Sequence, residues 1–191
     1  MNRNQYIPAF LTIACTALAL WMWRKSKEDK PATLIDYDMS TTTTLPRGYR
    51  NNNPLNIRFN KANNWKGKVL PNTDANNTFE QFVSMAYGYR AALSLLRTYI
   101  RKYGCNTIAK IIQKWAPPTE NYTQSYINNV CKFVGDLGTT VTPDTTVKTT
   151  DKDLLCKMAF AMSLIENGNT AATRAAGLPN METIKTGWSL L

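Results

Sequence analysis

Chemistry in this 191-residue chain must rest largely on carboxyl groups, because the chain contains no histidine. That removes histidine-based triads, histidine acid–base pairs and histidine-ligated zinc sites. Cysteine adds little. Beyond the N-terminal region Cys105, Cys131 and Cys156 are odd in number and have no CxxC spacing; each falls in a stretch that reads as helical, so they are expected to be reduced, packed thiols. No clustered Asp/Glu/Cys set has ligand spacing, and no metal or other cofactor is expected. Beyond residue 30 only four glutamates remain: Glu80, Glu120, Glu166 and Glu182. Glu166 follows the apolar run LLCKMAFAMSLI and precedes Asn167-Gly168, which places it at the C-terminal end of a core helix. The last carbonyls of a helix carry partial negative charge, and with Ile165 alongside they favour the protonated carboxyl that a general acid needs. A solvated glutamate before a helix stop is the plainer reading of the same spacing. Glu80, in FEQF, alternates with Phe79 and Phe82 and reads as an outward-facing strand residue. Glu120 follows Pro117-Pro118 and opens a helix, where the helix dipole favours a negative charge.

The elements that would position these groups are mainly helical. Ser84 caps a helix running to Tyr103, with Tyr89, Leu93, Leu96 and Ile100 on one face and Gly104 as its stop. Asn106 caps a second, whose Ile108, Ile111, Ile112 and Trp115 form an apolar stripe ended by Pro117-Pro118. A third runs from about Asn121 to Val134 through Tyr122, Tyr126, Val130 and Phe133. Thr150 or Asp151 caps a fourth through Leu155, Met158, Ala159, Met162 and Ile165, and a short helix near Met181–Trp188 closes the chain. Before them lies an Asn-, Gly- and Pro-rich stretch with short apolar runs near Leu55–Phe59, Lys66–Leu70 and Thr78–Phe82, expected to be two or three short strands or loops. The expected fold class is therefore mainly α, or α+β, with a small β or loop element near the start of the domain.

The N-terminus has a different character. Tyr6–Trp23 holds no charged residue, and eighteen helical residues rise about 27 Å, close to a bilayer's hydrocarbon thickness. Tyr6, Trp21 and Trp23 sit where interfacial aromatics belong. The expected organisation is a transmembrane anchor over 1–25, a polar, Thr-rich stalk over 26–46 and one domain over 47–191. A single-pass location follows, in a virion membrane or the inner membrane of a bacterial host. Arg24, Lys25, Lys27 and Lys30 follow the span while Arg3 precedes it, which places the C-terminal domain on the cytoplasmic side under the positive-inside tendency. Beyond residue 30 there are 18 Lys and Arg against 11 Asp and Glu, a net +7. A basic domain suits nucleic acid, lipid headgroups or a bacterial wall, or is simply soluble. The bases are scattered over all the helices and form no nucleic-acid-binding motif, so nucleic acid is the least favoured partner.

The run RGYRNNNPLNIRF, followed by NNWKGKV, FEQF, YGYRAA, WAPPTENYTQSYINNV and MAFAMSLIENGN, resembles a family of phage and prophage structural or lytic proteins. That family is related to lysozyme-like muramidases and lytic transglycosylases. The resemblance covers about residues 47–169, with the motifs in the family's order. MAFAMSLIENG is similar to the helix that carries the catalytic acid in goose-type lysozymes and lytic transglycosylases, NNPLNIRF…WKGK to a groove-lining segment of related glucosaminidases, and the WAPPTEN run to a late helix whose tyrosine closes the site. In those enzymes the glutamate helix comes first, whereas here it comes last, as in a circular permutation. Leu55 stands where the phage family has glycine, and the N-terminal span lies outside the family's core.

The resemblance implies a lysozyme-like fold and cleavage of the MurNAc–GlcNAc glycan of peptidoglycan. Glu166 would protonate the glycosidic oxygen, and a positioned water or the sugar's own 6-hydroxyl or N-acetyl group would relieve the oxocarbenium-like state. Glu120 is the alternative acid or a hydrogen-bonding partner in the groove. Asn53 and Asn56 would offer amides to N-acetyl groups, and Trp65 and Tyr126 would stack on sugar faces; as plain residues, the asparagines serve turns and the aromatics serve the core. The expected partners are peptidoglycan strands and a membrane. The rival expectation is a non-catalytic, membrane-associated virion protein that keeps the fold.

Overall fold

The computed structural model describes residues 44–118 and 122–191. The Tyr6–Trp23 span, nearly all of the stalk and Glu120 lie outside the described residues. Among those described, no helix is long and apolar enough to cross a membrane.

The described chain is mainly helical: α1 Arg47–Arg50, α2 Met85–Tyr103, α3 Ile108–Trp115, α4 Thr123–Asp136, α5 Lys152–Asn167, α6 Ala171–Ala175 and α7 Met181–Ser189. The apolar period sets the packing. Tyr89, Leu93 and Leu96 of α2, Ile108, Ile111 and Ile112 of α3, Ile127, Val130 and Val134 of α4, and Leu155, Met158 and Met162 of α5 are buried in one core. α7 closes it with Ile184, packing against α2 and α5.

The helix ends follow local chemistry. Gly104 takes a left-handed φ of 65° after α2, a conformation that costs a side-chain-bearing residue. The cap of α3 is Thr107 rather than the expected Asn106; its hydroxyl accepts from the Lys110 N–H, while the Asn106 carbonyl accepts from Val147 N. α3 stops at Ala116 because the residue before a proline is pushed out of helical geometry. Asp151 precedes α5 but gives it no side-chain cap; its carboxylate accepts from Lys148 N instead. α1 and α6 are additions to the expected set, each too short to show a period. Thr170 caps α6 and Asn180 caps α7.

No strand forms among the described residues. The three expected strands are reduced to single antiparallel bridges, Arg58 with Phe79 and Lys68 with Phe82. Two causes act together. Asn52, Asn56, Asn76 and Asn77 take positive φ, which breaks extended backbone. Asparagine side chains also occupy ladder positions: Asn53 donates to the Ile57 and Glu80 carbonyls and accepts from Ile57 N, and Asn72 donates to the Phe79 carbonyl.

Two residue-level expectations change. Glu80 does not face outward; it is fully buried, with Oε1 3.2 Å from Lys68 Nζ and accepting from Asn60 N. The alternation that placed it outside applies only to a strand. Cys105 lies in the α2–α3 connection rather than on a helix, while Cys131 and Cys156 sit on α4 and α5, and all three are free thiols. Burial raises the Cys131 and Cys156 thiols above their ordinary range.

Candidate active site

Glu166 is one residue from the end of α5, and that end is held from three directions. Inside the core, Ser163 Oγ lies 2.9 Å from the Tyr49 hydroxyl of α1 and 3.1 Å from the Tyr89 hydroxyl of α2. Burial pushes the Tyr89 hydroxyl far up, so it remains a neutral partner in this network. Asn167, the last residue of α5, donates to the Ser163 and Pro54 carbonyls. Gly48 of α1 lies flat against the same point: a side chain there would run into Asn167 Oδ1 and lie 2.6 Å from Asn56 Oδ1. The absence of a Cβ lets α1 approach both asparagines.

The carboxyl of Glu166 emerges from this anchorage fully oriented. Oε1 accepts from Trp115 Nε1 at 3.1 Å and from the Tyr126 hydroxyl at 2.9 Å. Oε2 accepts from Asn56 Nδ2 at 3.2 Å, and the same amide reaches the Glu166 backbone carbonyl at 3.3 Å. A carboxylate offers about four acceptor positions, so three are filled by the chain and one on Oε2 is left. Tyr126 is itself buried. Burial, and then the Glu166 carboxylate beside it, push its hydroxyl well above the ordinary value, which keeps it a donor.

Glu166 lies in a cleft of about 480 Å³. One wall is the asparagine-rich loop, presenting Asn56, Phe59, Asn60, Asn63 and Trp65 with Phe79 behind. The other is helical, with Leu95 and Tyr99 of α2 and Trp115 of α3. The Tyr99 and Trp115 rings are tilted at 59° with centroids 6.4 Å apart. Glu166 is the only acidic residue lining the cleft among the described residues. Aromatic faces with a few amides and one oriented carboxyl suit a polar ligand with flat apolar surfaces.

The loop wall is fixed by two acid–base pairs, in each of which the acid is buried. Asp74 accepts from Arg47 Nε at 2.7 Å and Nη2 at 2.6 Å, from Asn51 Nδ2 at 2.7 Å and from Phe79 N at 2.9 Å. Burial alone would raise this carboxyl, but the bonds from Arg47, Asn51 and Phe79 outweigh it and hold it down at about 2. Farther along, Lys68 Nζ reaches Glu80 and the Asn60 and Asn63 carbonyls, tying together the stretch that carries the cleft residues.

Of the residues singled out in the sequence, the structure brings Glu166, Asn56 and Trp65 to the cleft. Asn56 contacts Glu166 through its amide, an arrangement that loop spacing did not reveal. Tyr126 sits behind Glu166 as a buried hydrogen-bond donor, so its ring is not open for stacking. Asn53 is fully buried, with its amide spent on the loop backbone, and does not reach the cleft. Trp115 was read only as part of a core stripe; it is half-buried and gives its indole N–H to Glu166. Its place immediately before Ala-Pro-Pro, at the rim of a helix end, was the available signal.

No protein-family model matches the chain. It is similar to a curated phage protein, Protein P5 of Pseudoalteromonas phage PM2, with 45% identity over 91 residues, 47% of this chain and 56% of that protein. The chain thus has a phage relative of which it spans a little over half the length.

Proposed function

We propose that this chain is a phage-type, lysozyme-like enzyme that cleaves the MurNAc–GlcNAc glycan of peptidoglycan, tethered to a membrane by its N-terminal apolar span. The observation that carries this reading is Glu166, set in a cleft with Oε1 fixed by Trp115 and Tyr126 and with an acceptor position of Oε2 left over. With Oε1 filled by two donors, a proton on this carboxyl sits at the remaining position of Oε2, from which it would pass to a glycosidic oxygen and to which one would return from the group that replaces the leaving sugar. Trp115 and Tyr126 orient the carboxyl, and Trp65 and Tyr99 offer ring faces to sugars. With no second acid on the described cleft wall, the oxocarbenium-like state falls to a water, the 6-hydroxyl or the N-acetyl group. The phage relative supports the setting.

The test is lysis of purified peptidoglycan by the full-length chain beside Glu166→Gln. Clearing by the wild type and its loss in the variant are expected. Clearing by both would remove Glu166 from the chemistry and turn attention to Glu120.

A second reading has its own support. All three donors to Glu166 come from the chain itself, which is also how a purely structural carboxylate is satisfied. On that reading the protein is a membrane-associated virion component that keeps the fold without the activity, and neither form of the protein clears the wall.

A further inference from the structure

We propose that the cleft continues past Trp65 into a second compartment that holds the acidic peptide carried by the glycan, so that the site prefers peptide-bearing, anionic strands to bare sugar chains. This rests on the glycan-cleaving reading above. The compartment, about 260 Å³, shares Phe59, Asn63 and Trp65 with the main cleft, so the two lie side by side along one wall. Its chemistry is different. No acidic residue lines it; the lining includes Lys61, the amides of Asn63 and Asn64, and Leu70, which is 73% exposed.

Each feature matches a part of a short acidic peptide. Lys61 pairs with no carboxylate among the described residues, whereas Lys68, at the compartment's base, is already held by Glu80 and two carbonyls. Lys61 is therefore the cation left to meet a carboxylate of the ligand. The asparagine amides suit peptide groups, and the exposed Leu70 suits a methyl side chain.

The surrounding charge favours the same ligand. Residues 47–115, which supply both walls of the cleft and the whole compartment, hold 12 Lys and Arg against two acids, Asp74 and Glu80. Both of those acids are buried against bases of the same segment. Residues 116–191 hold six bases and seven acids. Of the bases in residues 47–115, Arg58 lines the cleft and Lys61 and Lys68 line the compartment, so the local charge around the proposed ligand is positive apart from Glu166.

The test uses full-length Glu166→Gln, which binds without turnover. Its affinity is measured for soluble, uncross-linked peptidoglycan strands and for the same strands stripped of their peptides by an amidase. Stripping is expected to weaken binding about fivefold or more, the scale of one solvent-facing ion pair with its apolar contact. Adding Lys61→Gln should remove most of that preference without changing affinity for stripped strands; Leu70→Ser should reduce it. Lys61 and Leu70 are exposed, so both variants are expected to fold, with circular dichroism as the check. Equal affinity for the two strands, with Lys61→Gln silent, overturns the compartment and leaves the glycan site standing. No binding to either strand removes both readings.

Discussion

Replacing Asp74 by asparagine tests whether the cleft wall is held by the pair with Arg47. Four donors converge on this carboxylate, so it has no acceptor position to spare. An asparagine amide would turn its NH2 toward two of them, whichever way it rotates. The shift of the Asp74 carboxyl from 3.8 to about 2 corresponds to about 2.4 kcal/mol at about 1.36 kcal/mol per unit. Arg47 is 36% exposed, and solvent screening trims the effect to about 1–2 kcal/mol. Because the folded carboxyl is more acidic than the unfolded one, this stability is present above pH 4 and is lost as the pH falls from about 4 toward 2. Urea unfolding of the full-length chain and of Asp74→Asn, at pH 7, 4 and 2.5, isolates it. The gap between the two proteins should be widest at pH 7 and shrink by about two-thirds of that contribution, about 1 kcal/mol, at pH 2.5. A gap that stays constant across that range would refute the pairing argument.

Gly48→Ala should push Asn56 and Asn167 aside, at about 1–3 kcal/mol of overpacking, and, on the proposed reading, should cost wall cleavage more than the loss of fold explains; thermal unfolding and lysis assays on one preparation separate the two. Tyr126→Phe removes one of the two donors to Glu166 Oε1 and should lower stability by about 1 kcal/mol and, on the proposed reading, the turnover rate by about tenfold. Gly104→Ala places a Cβ in open space, so its expected cost of about 1 kcal/mol reports left-handed strain alone, and Gly104→Asn should recover part of it in chemical denaturation.

The helices were legible wherever apolar spacing persisted over several turns: α2, α3, α4, α5 and α7 fall where Tyr89, Ile111, Tyr126, Met158 and Ile184 lie, with ends displaced by up to about two residues. α1 and α6 escaped because four or five residues make no period. The loop was misjudged where asparagine competes with backbone pairing, since FEQF alternates like a strand but Asn53 and Asn72 take the ladder's hydrogen bonds. The place of Glu166 at the end of α5 was legible from the Asn167-Gly168 stop. Its partners were not, because Asn56, Trp115 and Tyr126 meet it only through tertiary packing, and spacing along one element carries no record of that.

The bond between Asn56 and Glu166 joins residues 110 positions apart, and Tyr49 meets Ser163 across 114. A chain still emerging from the ribosome has its loop wall, its aromatic wall, Tyr49 and Tyr89 in hand long before the glutamate exists. No partial product ending short of α5 can assemble the carboxyl, its three donors and the cleft. Synthesis itself therefore keeps the constellation silent until the domain is almost complete, a built-in delay for a protein whose proposed target is the wall of the cell that makes it.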